Sequence, residues 1–443
     1  MDGFIFCLYD PDNIDRWQVT MSTFAFVQDG ETRRTSRSFF RGETTNFHPT
    51  DRSLMQSDSI DAYVIKGWAP KEKFVTRDLP IVAFGSCFAS NISNYLNERG
   101  YSVLNKTDNN AYVTKLGDGM VNTYAILQQF EWAWLNVAPK ADVWHGKKAE
   151  GYESDESVRL ETKALFDQAD MFIITLGLSE LWYDEPTGEV FWRAVPSASY
   201  DPNRHKFRTA THAETLENLR KIYNLIRRFR PHAKILFSVS PIPLTATFRD
   251  VSCLSADAVS KATIRSALDE FLADHTEADG VYYFPSYEAV TRIFRNQWGD
   301  DRRHVRHDVL TFNMKMFERY YCAPGIDDDE LMQAYNRAWE LDLQKGENMR
   351  NRPVKAYQEA RDIRKQAKIA ARIEARKIER EQIVAARVAE REKVSQQVQP
   401  RGTKKKRSFL SSSMVQIAGK AVIGLFALYG AFECIGLAFA ALS

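Results

Sequence analysis

The sequence predicts an α/β fold, an open and mostly parallel sheet with helices on both faces. Three observations carry this: short apolar runs that end in Gly, Ser or Pro, helical patterns between them, and a composition of 44% hydrophobic and 12% aromatic residues that can fill a core. The runs are 81–84 (IVAF), 171–176 (MFIITL), 234–239 (KILFSV) and 281–284 (VYYF). Each is rich in β-branched or aromatic residues without polar alternation, as a strand buried on both faces is. The intervening patterns predict helices over about 89–99, 122–135, 213–229 and 256–273, with a last one at about 309–321. Alternation at this spacing implies right-handed crossovers, and ligands then bind at the carboxyl ends of the strands.

The 443 residues exceed one average domain. Residues 1–59 lack a sustained period and are expected to form a lead-in that wraps a domain over 60–325. Residues 326–400 are expected to be a charged helical segment, 401–414 a basic linker and 415–442 a transmembrane helix. From about 340 to 398 the chain is rich in Ala, Lys, Arg, Glu and Gln and predicts one long helix. Its isoleucines and valine (363, 369, 373, 378, 383, 388) keep no heptad, so a coiled coil is only the second reading. Arg364, Lys368, Arg372, Arg376 and Arg380 recur every four residues. That ridge is either a solvated face or a surface for anionic membrane lipid.

Residues 421–442 contain Glu433 as their one charge and are long enough to span a bilayer. Lys404–Arg407 precede them, which predicts a tail-anchored, single-pass protein with its main domain on the cytoplasmic side. Net charge is +2, yet residues 350–407 alone carry 19 basic and 7 acidic side chains, so the body is acidic. Nucleic acid is not an expected partner, because no aromatics interleave the basic run. Cys7, Cys87, Cys253, Cys322 and Cys434 are odd in number and widely spaced. They suggest neither a disulfide framework nor a zinc site, and favour a reducing compartment. The first twenty residues show no secretory pattern.

Chemistry starts at Gly85-Ser86-Cys87-Phe88-Ala89. A serine at the tip of a buried strand, before a helix, aims its hydroxyl into the crevice above the sheet, or else simply caps the helix. A serine nucleophile needs an imidazole, itself oriented by a carboxylate. Two of the eight histidines follow an aspartate by three residues: His145 after Asp142 and His304 after Asp301. Asp301 and His304 come after the last strand and before the last helix, which places them at the same sheet edge as Ser86. His145 is expected to be solvated, and His307, one turn beyond His304, is a competing base. Cys87 is a rival nucleophile at the helix start; adjacent residues leave a tight turn in different directions, so only one can aim at His304, and Ser86 is favoured because structural cysteines are commonly buried.

Gly85–Ala89 spells GSCFA, and the later blocks at 175–182 (TLGLSELW), 201–207 (DPNRHKF), 238–244 (SVSPIPL), 283–288 (YFPSYE) and 301–305 follow in order. The chain resembles the GSCFA family, a branch of the SGNH (GDSL-like) hydrolases, over roughly 60–322. The resemblance implies a flavodoxin-like three-layer α/β/α sandwich and ester hydrolysis or acyl transfer. Ser86 would be the nucleophile, His304 the base and Asp301 its orienting partner. The superfamily completes its oxyanion hole with a glycine and an asparagine from two further loops. Here the candidates are Gly119 with Asn122 and Gly177 with Ser179, the last standing where many relatives have asparagine. Glu180 and His205 match motif positions without a derived role. No cofactor and no metal is expected, since no nucleotide-binding glycine pattern or ligand-spaced histidine pair occurs. The expected substrate is a small-molecule or glycan acyl ester, on a saccharide or lipid-linked group at a membrane surface. The rival expectation is a degenerate hydrolase-like scaffold.

Overall fold

The computed structural model describes residues 22–28, 31–37, 45–350 and 354–397, and the chain divides into two compact units, Met1–Arg352 and Pro353–Ser443. Within the first unit, strands β1 (Ser22–Gln28) and β2 (Glu31–Arg37) form an antiparallel hairpin. The main sheet takes β3 (Ile81–Gly85) and β4 (Met171–Leu176), whereas β5 (Glu180–Asp184), β6 (Glu189–Val190) and β7 (His205–Thr209) build a small antiparallel sheet beside it. Strands β8 (Lys234–Val239) and β9 (Val281–Tyr283) complete the main sheet, whose order β3-β4-β8-β9 is parallel throughout.

In this first unit the helices of seven residues or more are α1 (Cys87–Glu98), α2 (Thr123–Leu135), α3 (Glu156–Gln168), α4 (His212–Phe229), α5 (Cys253–Asp274), α6 (Ser286–Arg292), α7 (His307–Tyr321) and α8 (Asp328–Arg350). The period of two along each strand divides the core between the two faces of the sheet. Phe84, Phe172, Ile174, Ile235 and Phe237 pack against α2, α3, α4 and α5 through Phe130, Phe166, Leu219 and Phe271. Ile81, Ala83, Ile173 and Leu236 face α1, α6, α7 and α8 through Ile92, Val290, Phe312 and Tyr335. Each of the Val, Ile, Leu and Phe side chains among these, fully buried, contributes about 1.5–3 kcal/mol. The mixed α/β fold with a parallel sheet, expected from the sequence, is therefore what the chain adopts.

Val103 forms one parallel bridge to Ile81, on the side of β3 away from β4. That bridge is a strand reduced to a single residue. With it, the chain runs from β3 outward to one side and then returns to the other, so a topological switch lies at the carboxyl ends of β3 and β4, where open α/β sheets bind ligands.

Three expectations need correction. The one long helix expected from about 340 to 398 is two, α8 and α9 (Val354–Gln397), with Pro353 between them. Proline lacks the N–H a continuous helix needs and disfavours helical backbone before it. α8 belongs to the core, burying Leu331, Tyr335 and Trp339, and the Tyr335 hydroxyl donates to the Leu54 carbonyl at 2.6 Å. In the second unit, residues 358–382 of α9, the basic ridge included, are exposed. Secondly, no helix among the described residues is long and apolar enough to cross a membrane. α9, the longest of them, is dense in Lys, Arg and Glu. The transmembrane helix, and the tail-anchored membrane placement and cytoplasmic-side domain derived from it, therefore find no helix to support them among the described residues. The expected linker at 401–414 and span at 415–442 lie outside the described residues. Thirdly, His145 is buried, 6% exposed, with its Nε2 3.1 Å from the Asp142 carbonyl and its ring stacked on Phe191.

Candidate active site

Ser86 stands at the switch point. Gly85, which precedes it, has φ +130°, and a Cβ there would lie 2.2 Å from the Thr175 carbonyl oxygen, so only glycine lets β3 and β4 approach at this point. The turn delivers Ser86 as the N-cap of α1. Its Oγ accepts from the Phe88 N–H at 3.2 Å and lies 2.8 Å from Thr175 Oγ1. The Ser86 N–H donates to Thr175 twice, to Oγ1 at 2.9 Å and to the carbonyl at 3.0 Å. Ser86 is only 4% exposed, and its hydroxyl and amide are both engaged by a threonine the sequence reading passed over.

Asp301 and His304 meet as their spacing allows. Asp301 Oδ2 lies 2.5 Å from His304 Nδ1, and its Oδ1 accepts from the backbone N–H groups of Arg303 and His304 at 3.1 Å each. Partial burial pushes the Asp301 carboxyl up, but the His304 hydrogen bond and the two backbone N–H groups outweigh it and hold it at about 2. With Nδ1–H committed to Asp301, the neutral ring keeps its lone pair on Nε2. The imidazole is 73% exposed and makes no hydrogen bond to Ser86. His307 opens α7.

A buried lysine links the two sides of this edge. Lys261, on α5, donates to the carbonyls of Gly177 at 2.6 Å and Ser240 at 2.8 Å, the first residues beyond β4 and just beyond β8. A Cβ on Gly177 would sit 3.5 Å from Ser86 Cβ, so that residue packs against the serine. Pro243, a few residues after Ser240, accepts from Arg303 Nε at 3.3 Å, next to His304. Lys261 thus ties the residue beside Ser86 to the segment after β8, and Arg303 ties the dyad's loop to that same segment. A lysine on an amphipathic helix reads as solvated, and nothing in the sequence signals its burial.

Burial pulls the Lys261 ammonium down to about 8; Asp257 raises it and Arg303 lowers it further. Between that value and the 10.5 of the free side chain the unfolded chain holds more protons than the folded one, so this group makes stability rise with pH across the window. Lys261→Met removes that rise, worth about 3 kcal/mol, and below about pH 8 strands two buried carbonyls at about 1–3 kcal/mol each. Urea denaturation of both proteins at about pH 7 and about pH 10 checks this; parallel stability curves would refute it.

The remaining candidates have mainly local partners. The Gly119 N–H closes a turn on Leu116 O at 2.7 Å. Asn122 is the N-cap of α2, its Oδ1 accepting from Ala125 N–H at 2.9 Å. The Gly177 N–H donates to Val121 O at 2.8 Å, and the Ser179 N–H to Ser260 Oγ, also at 2.8 Å. Cys87 is exposed, with Sγ 3.9 Å from the Asp118 carbonyl. Glu180 is buried, which raises its pKa, and accepts from the Thr247 hydroxyl at 2.9 Å. His205 Nδ1 accepts from the Asp201 N–H at 3.1 Å, and its Nε2 faces Asp184 at 4.0 Å. Ser86, Gly177 and Lys261 thus form one cluster, Asp301 and His304 lie on the loop whose Arg303 reaches Pro243, and His205 belongs to the small sheet.

No curated protein matches the chain significantly. Among solved structures, the crystal structure of a serine-to-alanine mutant of an acetyl esterase with acetate ion is similar at 12% identity, covering 60% of this chain and all of that one, with a TM-score of 0.26. At that score the likeness carries no argument. The model of the GSCFA family matches residues 80–317. That stretch exceeds half of the 443 residues and runs from the start of β3 through most of α7, enclosing Ser86, Lys261, Asp301 and His304, and the chain belongs to the GSCFA family.

Proposed function

We propose that the protein is a serine ester hydrolase or acyltransferase of the SGNH type, with Ser86 as nucleophile, His304 as general base and Asp301 as the group that orients it. The observation that supports this reading is the Asp301–His304 pair, closed at 2.5 Å with Nε2 left as acceptor, in a chain whose Ser86 caps the helix at the carboxyl end of β3. A substrate ester at this edge draws the Ser86 hydroxyl from Thr175 to the imidazole. Nε2 takes the proton as Oγ bonds to the acyl carbon, and the carbonyl π electrons move onto oxygen. The N-terminus of α1 favours that negative charge through its dipole. Collapse breaks the ester C–O bond, and the alcohol leaves with the proton from His304. Water, or an acceptor alcohol, then gives its proton to His304 and takes the acyl group, and the Ser86 oxygen recovers that proton from His304 as its bond to the acyl carbon breaks.

Hydrolysis of p-nitrophenyl acetate by the full chain tests this. His304→Ala and Asp301→Asn are expected to lower kcat by about 10²–10⁴ while leaving the fold intact, because both side chains are at least half exposed. Wild-type rates in His304→Ala would remove it from the mechanism. A second reading is favoured by one observation: Thr175 occupies both the oxygen and the amide of Ser86. On that reading the site binds an ester without cleaving it, and wild type then shows no turnover.

A further inference from the structure

We infer that the small sheet carries a saccharide subsite, for pyranose rings without negative charge, leading away from Ser86. The inference rests on the proposed function only for where the scissile ester lies. Glu180, Trp182 and Asp184 alternate with Leu181 and Tyr183 along β5, so the three share one face, with Glu180 and Asp184 buried at its ends and Trp182 half-buried between them. At the strand rise that face runs about 13 Å. It begins immediately after Ser179, two residues from the Gly177 that packs on Ser86.

In the middle of this face is an aromatic shelf. Trp182 pairs across the sheet with Phe207, ring centroids 5.3 Å apart, and Phe248 packs on both at 4.8 and 5.1 Å. Tyr200 meets Trp182 edge-on at 5.7 Å. Phe248 is 58% and Tyr200 48% exposed, an unusual outlay of aromatic surface for a chain that buries most of its large rings. Flat aromatic faces carry partial negative charge and suit the C–H face of a sugar ring.

At the far end of the face is an open cavity of about 330 Å³, at the small end of the range for ligand pockets. Its polar lining is Asp142, Asp184, Ser199, Asp201, Arg204 and His205. Tyr200 joins shelf and cavity, its ring 6.2 Å from that of His205. Hydrogen-bond donors and acceptors therefore stand beside an apolar platform, the combination a polyhydroxylated ring requires. Three aspartates face one arginine, which clamps Asp184 at 2.8 and 3.0 Å and holds its carboxyl low. The residual negative charge accepts neutral or amino-bearing sugars and repels uronic acids.

The test is titration calorimetry of the full chain carrying Ser86→Ala, which cannot turn a ligand over, with cellotetraose, chitosan tetraose and tetragalacturonate. Binding of either of the first two, without binding of the third, is expected. Phe248→Ala or Tyr200→Ala, both in exposed rings, should weaken it about tenfold, the weight of one aromatic contact, with the circular dichroism unchanged. No heat with any of the three, equal binding of tetragalacturonate, or indifference to both ring truncations overturns the subsite. Hydrolysis of p-nitrophenyl acetate by wild type reads the hydrolytic proposal separately. Saccharide binding without esterase activity leaves the subsite standing and removes the hydrolase; activity without saccharide binding does the reverse.

Discussion

Ser86→Ala is expected to lower kcat for p-nitrophenyl acetate by about 10⁴ or more and to abolish labelling by a serine-reactive phosphonate. The loss is large because every later step, from acyl transfer to release, runs through a bond to that oxygen. The fold should survive. Alanine forfeits the cap on Phe88 N–H, about 1 kcal/mol, and the contact with Thr175 Oγ1, but the serine side chain is small and the backbone N–H still reaches the Thr175 carbonyl. Stopped-flow hydrolysis and mass spectrometry of the labelled peptide decide the matter. Equal turnover in both proteins, or label on another residue, would sink the assignment. A phosphonate adduct on Cys87 would transfer the nucleophile to its exposed neighbour.

Gly85→Ala should be the most damaging single methyl group in the molecule. It forces a Cβ to within 2.2 Å of the Thr175 carbonyl oxygen and 3.0 Å of two further backbone atoms of that residue. No flexible side chain can yield there, because the obstacle is the adjacent strand. The two strands must part, and Phe84, Ile174 and the pairing of Gly85 with Thr175 go with them. A cost above about 4 kcal/mol follows, beyond the ordinary range for point mutations. Gly188→Ala is the control: its φ is +74° but nothing lies within 4 Å of the added atom, so only backbone strain of about 1–2 kcal/mol remains. Denaturant midpoints of the two variants should differ widely, and similar values would show that the approach of β3 to β4 is softer than described.

The main sheet was legible because its strands are covered on both faces. MFIITL, KILFSV and IVAF read as mainly apolar runs without polar alternation, and all three became strands. The small sheet was not. Strand β5 (ELWYD) mixes two charges with two aromatics, β6 is two residues long and β7 (HKFRT) is half-exposed throughout, so neither periodicity nor hydrophobicity marked them. Helix α3 escaped for a similar reason, burying only Thr162, Leu165 and Phe166. At the candidate site, Asp301 and His304 were readable because three residues of spacing in a turn bring a carboxylate to an imidazole. Lys261 and Thr175 were not, since their importance depends on strand ends that only the folded sheet brings together. His145 was misjudged because Lys140, Asp142, Lys147 and Lys148 around it read as a solvated stretch, whereas its neighbours in space are Phe191 and the interior.

If the proposed hydrolase reading holds, the grip of Thr175 on Ser86 makes the enzyme a latent one. A serine tethered through oxygen and amide alike is a poor target for stray electrophiles and a poor activator of water, so idle hydrolysis stays low until a well-fitted guest prises it loose. Generic activated esters would then understate the catalyst, and the ratio between its best and its most convenient substrate becomes a measure of how firmly that latch is set.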